Sequence, residues 1–244
     1  MNHQFEAARR CLETSRQVVF MGGAGVSTAS GIPDFRGAAG LYSHASGSRL
    51  TPEVILSHGF FVRHPDEFYA FLRESLYFPE AKPNAAHFAL ADLENRGKLK
   101  ALITQNIDGL HQQAGSRVVF ELHGSLNRFY CTRCRAAFPA EQVCHQKTTP
   151  RCDVCGGLVR PDVILYGEQL DPQVLNASAA AVRQADCLIV GGSSLVVHPA
   201  AGLLDHFRGD CLLIINREPT PYDSRADFVF HGDIAEVLTE LSTV

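Results

Sequence analysis

No stretch of this 244-residue sequence stays apolar for the roughly 20 residues that a membrane-spanning helix requires. A large excess of one charge is also missing. The formal net charge is −4, which argues against a general nucleic-acid binder. The opening residues, MNHQFEAARRCLETSRQ, carry charges throughout and lack the apolar core of a secretion signal. They read as an amphipathic helix with Phe5, Ala8 and Leu12 on one face. The expected compartment is therefore the reducing cytoplasm. The glycine-rich turn Gly23-Ala24-Gly25 has absences of its own. No Lys follows it, which excludes a P-loop, and Thr28 stands where the dinucleotide fingerprint places its third Gly. No second strand ending in an acid follows about 20 residues on, which counts against a dehydrogenase. What remains has the composition of an ordinary globular protein, 45% apolar and 20% charged, with enough chain for one large or two modest domains.

Six short apolar runs stand out: Val18–Met21, Leu99–Thr104, Val118–Leu122, Cys187–Val190, Cys211–Ile215 and Phe228–Phe230. Most are apolar at successive positions, the pattern of parallel strands covered on both faces. Helix signals lie between several of them. Asn84 caps a segment with Ala86, Leu90 and Leu93 on one stripe that stops at Gly97. Asp171-Pro172 supplies an N-cap followed by Pro at the first helical position. Gly232-Asp233 opens a last helix carrying Ile234, Val237, Leu238 and Leu241. Alternating strands and helices predict an open α/β sheet. Each strand has a polar or Gly-rich exit, and ligands of such sheets bind outside the carboxyl ends of the strands. The exits are predicted to meet in one crevice. Residues 37–82 do not continue this alternation. Thr51-Pro52-Glu53 and Pro65-Asp66-Glu67 start helices there, so the segment reads as a helical insertion.

Two segments point to chemistry. The loop Ser30-Gly31-Ile32-Pro33-Asp34-Phe35-Arg36 frames an acid, an aromatic ring and a base with Gly and Pro, next to a turn whose backbone N–H groups suit a phosphate. Cys131-x2-Cys134-x17-Cys152-x2-Cys155 has the spacing of a four-thiolate zinc site. Four thiolates leave no open position for water, so such a zinc is structural. Cys187 and Cys211 fall in apolar strand-like runs and are expected to be buried free thiols.

Taken together, these residues resemble the sirtuin family, the NAD-consuming protein-lysine deacylases. The resemblance runs from about Arg16 to Leu238. It rests on GAGVSTASGIPDFRG at 23–37, KPNAAH at 82–87, TQNIDGLHQQAG at 104–115 and ELHG at 121–124. The zinc cysteines, RPDVILYGE at 160–168, GSSLVVHP at 192–199 and INREPT at 215–220 complete it. It implies an open, mostly parallel Rossmann-like sheet formed by 1–40, 83–124 and 161–244. A smaller inserted helical and zinc-ribbon domain would comprise 41–82 and 125–160. It implies NAD as co-substrate, one structural zinc and acylated lysine on protein substrates as partner, with no membrane or nucleic-acid partner. By matched position, His123 would be the general base, with Asn106 and Asp108 also in the catalytic set. Gly23, Ala24, Gly25, Asp34, Phe35 and Arg36 would line the NAD pocket, with Phe35 near the nicotinamide ribose, and Gln105, Asn106 and Asp108 would hold the ribose and carboxamide. Gly192, Ser193, Ser194, Asn216 and Ile234 would hold the phosphates and adenosine. Ile164, Tyr166 and Val197 would form the acyl-lysine tunnel, and backbone at Gly167 and Glu168 would clamp the peptide by strand addition. His111 receives no catalytic role.

The sequence departs from the family pattern at Gly22, Tyr166, Ser193 and His198 without losing a catalytic group. Tyr42 and Arg49 are too far apart to match the Tyr and Arg, three residues apart, of acidic-acyl specialists, so neutral acyl groups are expected. The same site would also suit ADP-ribosyl transfer to protein, or NAD- and zinc-dependent binding without turnover. Taken alone, His123 would read as a hydrogen-bonded histidine at a strand end.

Overall fold

The computed structural model describes residues 3–35, 40 and 50–242. In chain order its regular elements begin with α1 (His3–Thr14), β1 (Val18–Gly22), α2 (Pro52–Ile55), α3 (His58–Arg63), α4 (Pro65–Ser75) and α5 (Ala85–Asn95). Next come β2 (Leu99–Thr104), α6 (Leu110–Gln113), β3 (Val119–Glu121), β4 (Gly124–Cys131), β5 (Ala137–Pro139) and α7 (Ala140–Cys144). The last are β6 (Val159–Val163), α8 (Pro172–Gln184), β7 (Cys187–Gly191), β8 (Cys211–Ile215), β9 (Phe228–Phe230) and α9 (Ile234–Ser242).

Six strands form one parallel sheet in the order β3-β2-β1-β7-β8-β9. They are the six apolar runs of the sequence, within a residue at either end. β1, β7 and β8 are buried at every position because both faces are covered. Side chains alternate between those faces. Val18, Phe20, Leu102, Ile189 and Leu213 pack with α1, α5 and α9. Val19, Met21, Ile103, Leu188, Val190 and Ile214 pack with α8 and with the 3-10 turn Ala201–His206. From β1 the chain builds outward to β2 and β3, then returns to β7 on the other side. The strand order therefore reverses at β1/β7, where such sheets open a crevice.

A second core gathers Phe60, Phe61, Phe68, Tyr69 and Leu72 of α3 and α4 against Leu126, Phe129, Val159 and Leu165. Its scaffold is the antiparallel sheet β5-β4-β6. The Tyr69 hydroxyl donates to the Val159 carbonyl at 2.6 Å and ties α4 to β6.

Cys211 is not the free thiol expected. It is joined to Cys11 of α1, with the Cα atoms 6.4 Å apart. α1 lies against β8 and brings the two together across 200 residues, a pairing that leaves no local mark in the sequence. Cys187 is free and buried. No helix among the described residues is long and apolar enough to cross a membrane.

Candidate functional site

A cavity of about 860 Å³ runs along the carboxyl ends of the large sheet and reaches into the second core. All six strand exits contribute to it. β1 supplies Gly23, Ala24 and Gly25, β2 supplies Gln105 and Asn106, and β3 supplies His123. β7 supplies Gly192, Ser193 and Ser194, β8 supplies Asn216, and β9 leads to Gly232 and Ile234. Asp34 and Phe35 close it from the loop after β1, and Ile164, Tyr166, Gly167, Glu168 and Val197 line its other end. Arg36 and the segment with Tyr42 and Arg49 lie outside the described residues.

The glycines at the switch point are required by contact. Gly25 N–H donates to the Gly192 carbonyl at 2.8 Å, and Gly23 N–H to the Gly191 carbonyl at 3.2 Å. A Cβ on Gly25 would stand 2.7 Å from the Gly192 Cα. The two turns thus lie backbone to backbone, as a phosphate-binding floor needs. Gln105 Nε2 donates to Ser193 Oγ at 3.1 Å and links the β2 exit to the β7 exit.

His123 is held from both sides. Leu122 N–H donates to the Thr104 carbonyl at 2.9 Å, and Ile164 N–H to the His123 carbonyl at 3.0 Å. Its Nδ1 lies 3.0 Å from the Gln105 carbonyl oxygen. A carbonyl only accepts, so Nδ1 carries the proton and Nε2 keeps a free lone pair. Burial lowers the imidazole pKa, and the Gln105 carbonyl partly offsets this. The ring is therefore neutral at pH 7, the state of a base.

Asp108 does not line this cavity with its neighbours. Its Oδ2 accepts from Ser27 Oγ at 2.7 Å and its Oδ1 from Leu110 N–H at 2.9 Å. Burial raises its pKa, against those two donors. Ser27 Oγ in turn accepts from Asn106 Nδ2 at 3.0 Å. Asp108 thus reaches the cavity wall through Ser27, a residue whose part the motif alone does not reveal. Arg217, Thr28 and Pro199 also line the cavity, although only their segments, not their roles, are visible in the sequence.

Behind the Gly turn, His87 and His111 are fully buried, with ring centroids 4.7 Å apart. Asn84 caps α5 by accepting from Ala86 N–H, and His87 Nδ1 accepts from Asn84 N–H at 3.2 Å. The Asn84 amide also donates to the Val26 carbonyl at 2.9 Å and to Ser30 Oγ at 2.8 Å, fastening α5 to the loop after β1. His87 Nε2 and both ring nitrogens of His111 have no hydrogen-bond partner among the described residues. Burial pushes His87 down to about 4. Burial, and then the neighbouring His87, push His111 down to about 3.

The sulfur atoms of Cys131, Cys134, Cys152 and Cys155 lie within 4.8 Å of one another. Cys131 Sγ is 3.4 Å from Cys155 Sγ, and Cys134 Sγ is 3.5 Å from Cys152 Sγ. A tetrahedral ion with bonds of about 2.3 Å separates its sulfurs by roughly 3.8 Å, so the cluster fits one structural zinc. The N–H groups of Arg133 and Cys134 donate to Cys131 Sγ at 3.3 and 3.5 Å, as suits a thiolate ligand. Cys144 lies outside the cluster.

Residues 23–199 match the family model described as Sir2 family. An NAD-dependent protein deacetylase of Clostridium acetobutylicum is 53% identical over 231 residues, covering 94% of each chain. One from Staphylococcus aureus is 46% identical over 243 residues, covering 100% of each chain. Among solved structures, a Sir2 with deacetylated p53 peptide and 3'-O-acetyl-ADP-ribose superposes with a TM-score of 0.90 at 40% identity, covering 98% of this chain and 97% of that one. A Sir2 with p53 peptide and NAD+ gives 0.85 at 41% identity, covering 98% and 96%.

Proposed function

The chain belongs to the Sir2 family, and from that premise we propose how its cavity removes acyl groups from protein lysines. The activity is NAD-dependent protein deacetylation, with acylated lysine as the partner and one structural zinc. NAD supplies the leaving nicotinamide and the ADP-ribose that accepts the acyl group. The observation that carries the assignment of roles is His123, neutral and with Nε2 free, opening into the same cavity as the Gly23–Gly25 turn.

In our reading the backbone of Gly23, Ala24, Gly25 and Gly192, with Ser193, Ser194 and Asn216, binds the phosphates and adenosine against Ile234. Asp34, Phe35, Gln105 and Asn106 surround the nicotinamide end. Asn106 is aimed by Ser27, and Ser27 by Asp108. We keep Arg36 in this group on its place in the motif. Ile164, Tyr166 and Val197 enclose the acyl-lysine stem. Gly167 and Glu168 offer backbone to the peptide. His123 Nε2 takes a proton from a ribose hydroxyl, and the Gln105 carbonyl stabilises the imidazolium that results. We also propose a two-domain division, with 1–40, 83–124 and 161–244 carrying the large sheet and 41–82 and 125–160 the zinc module. β6 forms the seam between them. We place the protein in the cytoplasm.

The test incubates the protein with an acetyl-lysine peptide, with and without NAD, and follows the products by mass spectrometry. Free lysine, nicotinamide and O-acetyl-ADP-ribose are expected, and His123→Ala should lower the rate by about 10²–10⁴-fold. A His123→Ala rate within about threefold of wild type would defeat the base assignment. ADP-ribose retained on protein would mean transfer instead, and NAD binding without nicotinamide release would mean a binding module.

A further inference from the structure

Arg160 is a buried charge between the two cores. It leaves β6 immediately beside the zinc module and faces the strap 163–168, every residue of which lines the cavity. Its guanidinium lies 5.6 Å from the Phe61 ring centroid and 5.7 Å from that of Tyr130. It donates to Glu168 Oε1 at 2.6 Å, to Glu168 Oε2 at 2.9 Å and to the Val163 carbonyl at 2.8 Å. Glu168 uses its remaining capacity on the same strap. Oε2 accepts from Leu165 N–H at 2.8 Å, and Oε1 lies 2.8 Å from His58 Nδ1. Burial alone would raise the Glu168 pKa, but Arg160, the Leu165 N–H and His58 hold it down to about 2.

The strap is thereby gripped at Val163, Leu165 and Glu168 by one ion pair. Its other bonds run to β4, to the end of α2, to α3 and to the base. Tyr166 N–H donates to the Leu56 carbonyl and His58 N–H to the Tyr166 carbonyl, both at 3.0 Å. Ile164 N–H donates to the His123 carbonyl. A buried ion pair adds little net stability compared with apolar residues of the same volume, so stability alone does not account for this one. A two-pronged fork against a carboxylate does fix geometry.

We propose that Arg160 and Glu168 are positioning residues for the acyl-lysine substrate: the ion pair between buried Arg160 and partly buried Glu168 sets the shape of strap 163–168 and, through Ile164, its place relative to His123. This rests on the deacetylase reading above and extends it. A strap out of place would weaken the peptide's hold while leaving the nucleotide end, built on β1, β7 and β8, as it was.

The experiment uses Glu168→Gln and Arg160→Lys in the full chain. Glu168→Gln keeps volume and one acceptor but puts an amide NH2 against the fork. Arg160→Lys keeps the charge and loses the fork, and the same changes are expected of it. Hydrogen exchange at the Leu165 and Tyr166 amides should quicken at least about tenfold while the β1 amides stay slow. KM for an acetyl-lysine peptide should rise on the order of tenfold, with KM for NAD within about twofold. Unchanged exchange, or peptide and NAD constants rising together, would overturn the proposal. Wild-type behaviour of Arg160→Lys would overturn the role of the fork. Should Arg160→Lys not fold, Glu168→Gln decides alone. A wild-type protein that turns over no acetyl peptide would defeat the deacetylase reading, and the exchange rates would still judge the clamp.

Discussion

The paired histidines behind the Gly turn set how the protein responds to acid. In the unfolded chain each has a pKa near 6.5, whereas in the fold His87 is held at about 4 and His111 at about 3. The folded values are depressed and the groups are bases, so between pH 6.5 and 4 the unfolded chain takes up protons that the fold refuses. Their contribution is present above pH 6.5 and falls as pH drops, toward 4 for His87 and toward 3 for His111. At pH 5 each ring contributes a loss of about 2 kcal/mol, a large share of the 5–15 kcal/mol typical of a whole protein. Near pH 5 the slope approaches about 2.7 kcal/mol per pH unit for the pair. Glu168 acts in a different window, because its stabilisation is lost only below about 4.5 and on toward 2. Urea titrations between pH 7 and 5 therefore read mainly the histidines. His111→Phe replaces a buried imidazole by an apolar ring and should take about 1.4 kcal/mol per pH unit off the slope near pH 5, leaving the shares of His87 and of His123, which burial also lowers. An unaltered slope in that variant, or a flat wild-type profile over this range, would refute the reasoning.

Other expectations are simpler. Chelating the zinc, or Cys152→Ser, should unfold the second core and lower peptide turnover, since structural zinc contributes directly to folding. Metal analysis finding no zinc in active protein would contradict that. Ser27→Ala and Asp108→Asn should each slow nicotinamide exchange on the order of tenfold in folded protein, because both break the link that aims Asn106. Exchange at the wild-type rate in both would remove Asp108 from the catalytic set. An acetyl-lysine peptide should be turned over faster than its succinyl counterpart at pH 7.5. Arg217 is the one Lys or Arg lining the cavity among the described residues, and Asp233 already pairs with it at 2.5 Å. Among the described residues a buried acyl carboxylate would find no free Lys or Arg, and an unpaired buried charge costs several kcal/mol. Equal kcat/KM for the two peptides would sink this prediction.

The large sheet was legible because parallel strands covered on both faces must be apolar at successive residues. Leu99–Thr104, Cys211–Ile215 and Phe228–Phe230 have the bounds their apolar runs predict. The caps at Asn84 and Asp171 were legible for a local reason, since each side chain accepts from a backbone N–H two residues on. The small sheet was not. β4 reads GSLNRFYC and β6 reads VRPDV, with charges and a proline among few apolar residues. The neighbouring metal cluster and Arg160 hold these strands, so neither follows a regular apolar period. At the site, the strand-end residues were legible because the topology gathers strand exits. The geometry of Asp108 was not legible, because it reaches Asn106 through Ser27 rather than lining the cavity. Glu168 was expected to offer its backbone, and its partly buried carboxylate proves to be the partner of Arg160.

Both sheets end in blunt edges. β3 and β9, the outer strands of the large sheet, have three residues each, and so does β5 at one side of the small sheet. The Gln4 amide donates to the Val229 carbonyl and occupies part of the β9 edge. β6, the remaining edge, carries Pro161, which has no N–H to donate. A long, flat edge would template strand addition by another copy and seed aggregation. The described residues present none. Between these sheet edges, copies of this protein would meet through side chains, whose contacts are reversible, rather than through a shared backbone ladder.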